Sequence, residues 1–543
     1  MEDVYFLVSD CISNQSSLFN YFSLLQLSIS SKINSNLIFE CNDNNNPIPL
    51  YPINLNQIER FRNIHTLSIP IYQNNVNLSH LTHINSITFY NTNLIDDVTK
   101  LTHLTKCNLI RNTYTTKYYF HTNLKRLHKF QNRHERYNIS NISSFIHLTR
   151  MNTIGVNDLI DMKQLLMFTN LKSLSVGILN NMEMLSILKS LHTLSWCRQS
   201  DNNPENNLFD HPNLTRIKIS DGGHCVFQNC FKLISLELVN CFSCTIEKSI
   251  RSNLQTLILL TYDDIDTKLN FDLNECINLR YLKYDNNLVN LNDLTSHLIQ
   301  LTKLSVDCSK IAEIKNCLAK NLISLTVEHC NLLDFENCIN LKKLKLIITE
   351  VVNISKLILL EHLHIEYGYT RGKASSNFDV VFNCDGCNYL TYLKVKNIKL
   401  SNVNQLTKLK ALVLYGIDNT EAMNLWNNTI PCLSQLICLE FFPKEIDESI
   451  FYDVRYLSNC RLLKQFGCKI LLNDLNLFSM IDYLNIFYHS SYEETITKLT
   501  RLTKLCLQEI NNDNDLKKLS LTNLKRLCVL ERRKRNFMSY YED

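Results

Sequence analysis

An apolar residue, followed three positions later by a second and two after that by a third, recurs twenty times along this chain. The pattern runs from Ile64 through Leu214, Leu301 and Leu409 to Leu524. Two further units keep it in degraded form, beginning at Leu124 and Leu148, with Lys129 and Thr153 in the third place. The spacing averages about 22 residues, a period at which each unit is one supersecondary element that buries its apolar side only against its neighbours. A core of that kind lengthens with every unit, so 543 residues predict one continuous body rather than several domains.

Composition narrows the function classes. With 56 basic and 52 acidic residues the net charge is +4, too small a field to call for nucleic acid or an anionic membrane, and neither partner is expected. The 21 cysteines are scattered through apolar segments rather than gathered in a compact framework, which predicts reduced, buried thiols. Residues 1–10 carry acids where a signal peptide needs a basic region, so the expected compartment is the cytoplasm, with the nucleus also open. Sequons at Asn138 and Asn213 then read as by-products of an Asn-rich composition. Nine glycines and no G-x-x-x-x-G-K-[ST] or G-x-G-x-x-G leave nothing to cradle a phosphate, and no cofactor is expected. No Ser/His/Asp signature or H-E-x-x-H is present, and the chain is expected to be non-enzymatic.

Within a unit, Leu325, Thr326, Val327 and Glu328 alternate as in a half-buried strand, with Leu325 and Val327 inward. Cys330 and Leu332 follow where L-x-x-L-x-L-x-x-N/C-x-L places its turn residue and next core residue. Asn112, Asn287, Cys241, Ser309, Thr92 and Thr349 hold the same turn position, whereas the unit at Leu409 has Ile417 there. On these residues the chain resembles the leucine-rich-repeat proteins over roughly residues 60–530, and the period is similar to that of the class that includes phosphatase regulators. The resemblance implies an α/β solenoid, a horseshoe or arc, with a parallel sheet on its concave face. Segments such as 314–319 and 335–341 would return over the convex face as single turns of 3₁₀ or α-helix. Stacked at ~4.8 Å per strand, the units would form an inner arc of roughly 100 Å.

Strand alternation turns the third, fifth and seventh residues of each unit toward the concave face. Over the middle units these include Tyr281, Lys283, Lys303, Lys343, Lys345, His362, His364, Glu366, Tyr392, Lys394, Lys396, Tyr415 and Phe442. Aromatics interleaved with charges suit recognition of a protein partner through a few anchors, and this set is the candidate binding surface of a chain expected to be monomeric. Three intervals are long, those after Leu360, Leu409 and Leu436, and insertions in a solenoid go to loops, often on the binding side. The first contains the Gly/Ser-rich stretch 368–377.

The ends divide from the solenoid. Residues 1–58 are expected to form a helical cap, 59–530 the solenoid, and 531–543 a basic then acidic tail that includes Arg532, Arg533, Lys534 and Arg535. The spacing of Val4, Leu7, Val8, Ile12, Leu18, Phe22, Leu25 and Leu27 faintly resembles an F-box, without its opening Leu-Pro or closing Trp. A substrate receptor of a ubiquitin ligase and a phosphatase regulatory subunit therefore stand as alternative forms of the scaffold reading. Three local patterns can bind metal in other settings: His362, His364 and Glu366 on one strand; Cys225, Cys230, Cys241 and Cys244; and the Cys384-x-x-Cys387 pair. Surface histidines and core thiols are the expected reading of each, and no metal is expected.

Overall fold

In the computed structural model the chain is described most continuously, with few gaps, over residues 165–197, 206–261, 268–285, 298–307, 320–348, 354–367, 381–444, 451–468, 480–487 and 498–510. Elsewhere only short segments, mostly strands, are described. It forms two compact units, one built mainly from Asn44–Thr349 and the other mainly from Glu350–Asp543. The division falls inside the span expected to be a single solenoid, and each unit keeps the repeat on its own side.

In the first unit every repeat contributes one strand to the main sheet, and successive strands pair in parallel with their starts in register, the shifts falling further along, after Ser220 and Glu328. Arg150, Ser173, Thr193, Arg216, Ser235, Thr256, Tyr281, Lys303, Ser324 and Lys343 each face the next across one rung. The register follows from the leucines. A one-residue slip would turn the apolar set outward, and Leu174, Leu194, Ile217, Leu236, Leu257, Leu282, Leu304 and Leu325 are all buried. Burying one such side chain contributes about 2 kcal/mol, repeated in each unit. Leu282 and Tyr284 take the second and third apolar places of one repeat, Leu304 and Val306 those of the next.

The same register moves one expected boundary. Lys106 faces Lys129 and Lys129 faces Arg150, which starts the degraded unit at Leu127 rather than Leu124. Leu124 and Leu127 both satisfy the first step of the pattern, and only the strand partners tell them apart. A second departure lies upstream. Within the expected helical cap the strand Asn36–Glu40 pairs in parallel with Thr66–Pro70, so that part of 1–58 is strand; the rest of the cap, with the F-box-like spacing, lies outside the described residues apart from Phe6–Leu7.

In the described repeats the strands of the main sheet are launched from a tight turn. The amide of the first leucine donates to the carbonyl three residues back, as from Leu233 to Cys230 at 2.9 Å and from Leu279 to Cys276 at 2.9 Å. The next two amides share one carbonyl in the preceding repeat, as Arg280 and Tyr281 do on Gln255, at 2.9 and 3.0 Å. An asparagine at the turn tip then reaches back one repeat. Asn213 donates to the Lys189 carbonyl, Asn253 to Phe231, Asn278 to Ser252, Asn321 to Ile299 and Asn340 to Lys320, at 2.7–3.0 Å. This asparagine ladder sits before the strand, whereas the sequence pattern points to one after it.

The described return segments mix short parallel strands with single helical turns. Glu313–Ile314 pairs with Leu332–Leu333, so Ile314 belongs to a strand rather than to the start of a helical turn. Arg216–Gln228 and Ser235–Ile246 run through the corner and continue onto this outer layer, turning at Asp221 and Asn240, both at positive φ, where the Asn240 amide donates to Asp221 at 3.0 Å. Met182–Ile187 and Leu273–Glu275 are 3₁₀ turns.

In the second unit His362, Tyr392, Ala411, Cys438, Gln465, Tyr483, Lys504 and Arg526 form the corresponding row. The long interval after Leu409 is helical rather than an open loop. Asp418 caps Asn419–Asn424 by accepting from the Glu421 amide at 2.8 Å, and the segment continues to Cys432. Its purpose is packing, because Trp426 is fully buried, lies edge-on to Phe441 and Tyr452 at 5.4 Å each, and donates its indole N–H to the Asp453 carbonyl at 3.0 Å. At Gly416, φ is +68° and a Cβ would fall against Asn397, so the turn ending the Ala411–Ile417 strand requires glycine. The 368–380 part of the first insertion and the 532–543 tail lie outside the described residues.

Candidate functional site

Period-two alternation in the second unit leaves three parallel rows on the outward side of its sheet. The first holds His362, Tyr392, Ala411 and Cys438; the second His364, Lys394, Val413, Glu440 and Gly467; the third Glu366, Lys396, Tyr415 and Phe442. Residues distant in sequence become neighbours because one rung separates one repeat from the next.

Tyr415 and Phe442 stack nearly parallel, with centroids 4.9 Å apart and planes 4° from parallel. Lys394 places its ammonium 5.5 Å from the Tyr415 centroid, within cation–π range. The Tyr415 hydroxyl donates to Glu440 at 2.7 Å. In the first row His362 tilts over Tyr392, centroids 5.7 Å apart, and in the third Lys396 forms an ion pair with Glu366. Partial burial pushes the Tyr415 phenol well above its usual range, and its hydrogen bond to the Glu440 carboxylate adds to the effect. Burial, with the Glu440 charge second, raises Tyr392 as well and pushes the Cys438 thiol to about 11. Glu440 is thus the electrostatic centre of the cluster, and Gly467 lies beside it with space for a Cβ in ordinary contact. A Cβ there would lie 3.4 Å from Glu440 and 3.5 Å from Phe442.

The first unit carries the rest of the expected surface. Tyr281, Lys283, Lys303, Lys343 and Lys345 all lie on outward positions of its strands. Lys345 pairs with Glu328 at 2.7 Å, and Asp285, Asp307 and Glu328 form an acidic row alongside the lysines. Burial and the Glu237 charge raise the Tyr281 phenol. Lys303 and Lys343 are exposed.

The patterns that can bind metal resolve individually. Glu366 is held by Lys396, and among the described residues no three His, Cys, Asp or Glu side chains converge into a metal-holding group. Cys225, Cys230, Cys241, Cys244, Cys384 and Cys387 are buried free thiols. Cys230, Cys276, Cys338, Cys387 and Cys460 all sit three residues before the first leucine of a repeat, the place that Leu188, Leu298 and Leu357 fill elsewhere. Burial pushes Cys276 to about 12, and Cys230, Cys387 and Cys460 each to about 11. His211 takes the same buried place, its Nε2 3.2 Å from the Leu188 carbonyl.

No family model and no curated protein matches the chain. Among solved structures it is similar to TLR13 in a complex with ssRNA13, at 17% identity over 86% of this chain and 77% of that one, TM-score 0.48. It is also similar to a leucine-rich-repeat protein of Leptospira interrogans, at 14% identity over 88% and 100%, TM-score 0.31. The functional domain of InlJ from Listeria monocytogenes matches at 18% identity over 72% of each chain, TM-score 0.29. Its period, its launching turn and the in-register starts of its parallel strands give the chain a leucine-rich-repeat fold.

Proposed function

We propose that the protein is a non-enzymatic interaction scaffold that takes a protein partner on the outward sheet face, with the Tyr392 to Phe442 surface as its anchor. The carrying observation is the stacked Tyr415 and Phe442 pair, half-exposed and flanked by Lys394 and Glu440. Rigid aromatic surface bordered by both charge signs supplies contact area at little entropic cost and orients a partner through complementary charges. Setting inside the cell suits a chain whose described cysteines are all free thiols.

Affinity purification from native lysate with the full chain, followed by mass spectrometry, tests the reading. Wild type should retain a partner that Tyr415→Ala with Phe442→Ala loses. Charge reversal at Lys394 should weaken the same partner. Recovery of an unchanged set of proteins by both variants would overturn the assignment. The adaptor and phosphatase-regulator forms differ in their partner, so the identity of the captured protein separates them.

A further inference from the structure

The near-neutral net charge conceals a segregation that becomes visible once the register is known. In each repeat from Leu171 to Leu341 the two turn-tip residues and the residue after the first leucine lie together at the edge where the strands begin. Across the nine repeats that start at Leu171 through Leu341, these positions hold Lys172, Lys189, Lys232, Arg280, Lys320 and Lys342 and no aspartate or glutamate. All six cations are exposed. The same positions hold six exposed apolar side chains, among them Phe231 at 48%, Ile277 at 53%, Ile299 at 61% and Ile339 at 55%. Ile234 and Ile323 complete the set, and the remaining tip residues are mostly Asn, Ser, Thr and Gln.

We propose that this edge is a docking surface for an anionic lipid bilayer. Three observations select that occupant. In-register strands begin at one level, so the tips form a continuous strip of roughly 40 Å over nine repeats at ~4.8 Å each. The backbone there is already committed: Phe231, Ile299 and Lys320 spend their tip carbonyls on Asn253, Asn321 and Asn340, and Gln255 and Arg280 each accept two amides. A peptide strand would find these carbonyls already taken. What is offered outward is side chains alone, branched or aromatic hydrocarbon interleaved with lysine and arginine, which is the composition of an interfacial membrane contact. The expectation of no membrane partner, drawn from net charge, averages this edge with acids placed elsewhere, such as the Asp285, Asp307 and Glu328 row. The surface is distinct from the Tyr415 cluster and does not depend on the scaffold reading.

Co-sedimentation of the full chain with phosphatidylcholine vesicles containing about a third phosphatidylserine tests the proposal. Wild type should sediment with these vesicles at low salt, should bind pure phosphatidylcholine at least ~10-fold more weakly, and should lose binding as salt rises. Two variants carry the assignment to the edge: Ile277→Ser with Ile299→Ser and Ile339→Ser, and separately Lys189→Glu with Lys320→Glu. Each should weaken vesicle binding about 10-fold or more while an unchanged far-UV spectrum reports the fold. Failure of the wild type to sediment, equal binding to neutral vesicles, or undiminished binding by either correctly folded variant would overturn it. Binding of polyglutamate or an oligonucleotide instead of vesicles would assign the edge to another polyanion and would also overturn it.

Discussion

The hydroxyl of Tyr415 donates to Glu440 at 2.7 Å across adjoining strands, in residues 25 positions apart, and the same tyrosine carries Phe442 on its ring face. Replacing Tyr415 by Phe keeps the stack and removes only the donor. Because the pair is partly open to water, the expected loss of stability is small, about 1 kcal/mol. The phenol is held neutral to higher pH than in the unfolded chain, so wild-type stability should fall as pH rises above about 10, where only the unfolded form releases the proton. Urea titration at neutral and alkaline pH checks both effects; an unchanged alkaline slope in Tyr415→Phe would exclude Tyr415 as its source.

Acid sensitivity should arise from His211. It is 1% exposed in a column where leucine and cysteine are the commonest occupants, and burial lowers its pKa below the ordinary value. The unfolded chain therefore binds the proton first. Stability from this residue is complete above about pH 6.5 and declines as pH falls below it. His211→Leu, which matches the column's commoner occupant, should flatten that acid limb in thermal melts between pH 7 and 5.

The asparagine ladder predicts a uniform, modest cost per rung. Asn321→Ala removes the 2.8 Å bond to the Ile299 carbonyl, and water can partly replace it because the site is exposed, so the loss should be about 0.5–1.5 kcal/mol. Denaturant titration of Asn253→Ala and Asn321→Ala should give similar values and, for rungs this far apart, near-additive ones in the double variant.

Thiol reactivity should follow position in the repeat. Cys432 is exposed, whereas Cys230, Cys276 and Cys338 are buried, with Cys276 pushed to about 12. Brief iodoacetamide treatment near neutral pH should modify Cys432 ahead of those three, which should react only after unfolding. Peptide mapping reads the order directly, and early labelling of Cys276 would contradict the core assignment.

Much of this architecture is legible in the leucines, since the period-two alternation around Leu282 and Tyr284 or Leu304 and Val306 dictates both strand and facing. Register is legible only where one alignment of the pattern exists. At Leu124 and Leu127 two alignments compete, and the partner strand decides between them. The strand at Asn36–Glu40 escapes notice because Asn34 occupies the first apolar place. The candidate surface is legible as a set of positions but not as contacts. Lys394, Tyr415, Glu440 and Phe442 come from three repeats, and only the pairing of those strands brings them together. Val413 shows the opposite limit: alternation places it outward between Lys394 and Glu440, yet it is 6% exposed. The helix around Trp426 is hidden because a long interval says only that extra chain is present, not that an indole will draw it into the core.

Every rung of the asparagine ladder reaches back one repeat and no further, from Asn253 to Phe231 or from Asn340 to Lys320. Nothing in such a bond records how many repeats precede it. A gene segment encoding one repeat can be copied or deleted, and the newcomer finds its acceptor already in place. Adding or removing one whole repeat would therefore leave the other rungs intact, whereas a change of spacing inside a repeat would part its asparagine from the acceptor.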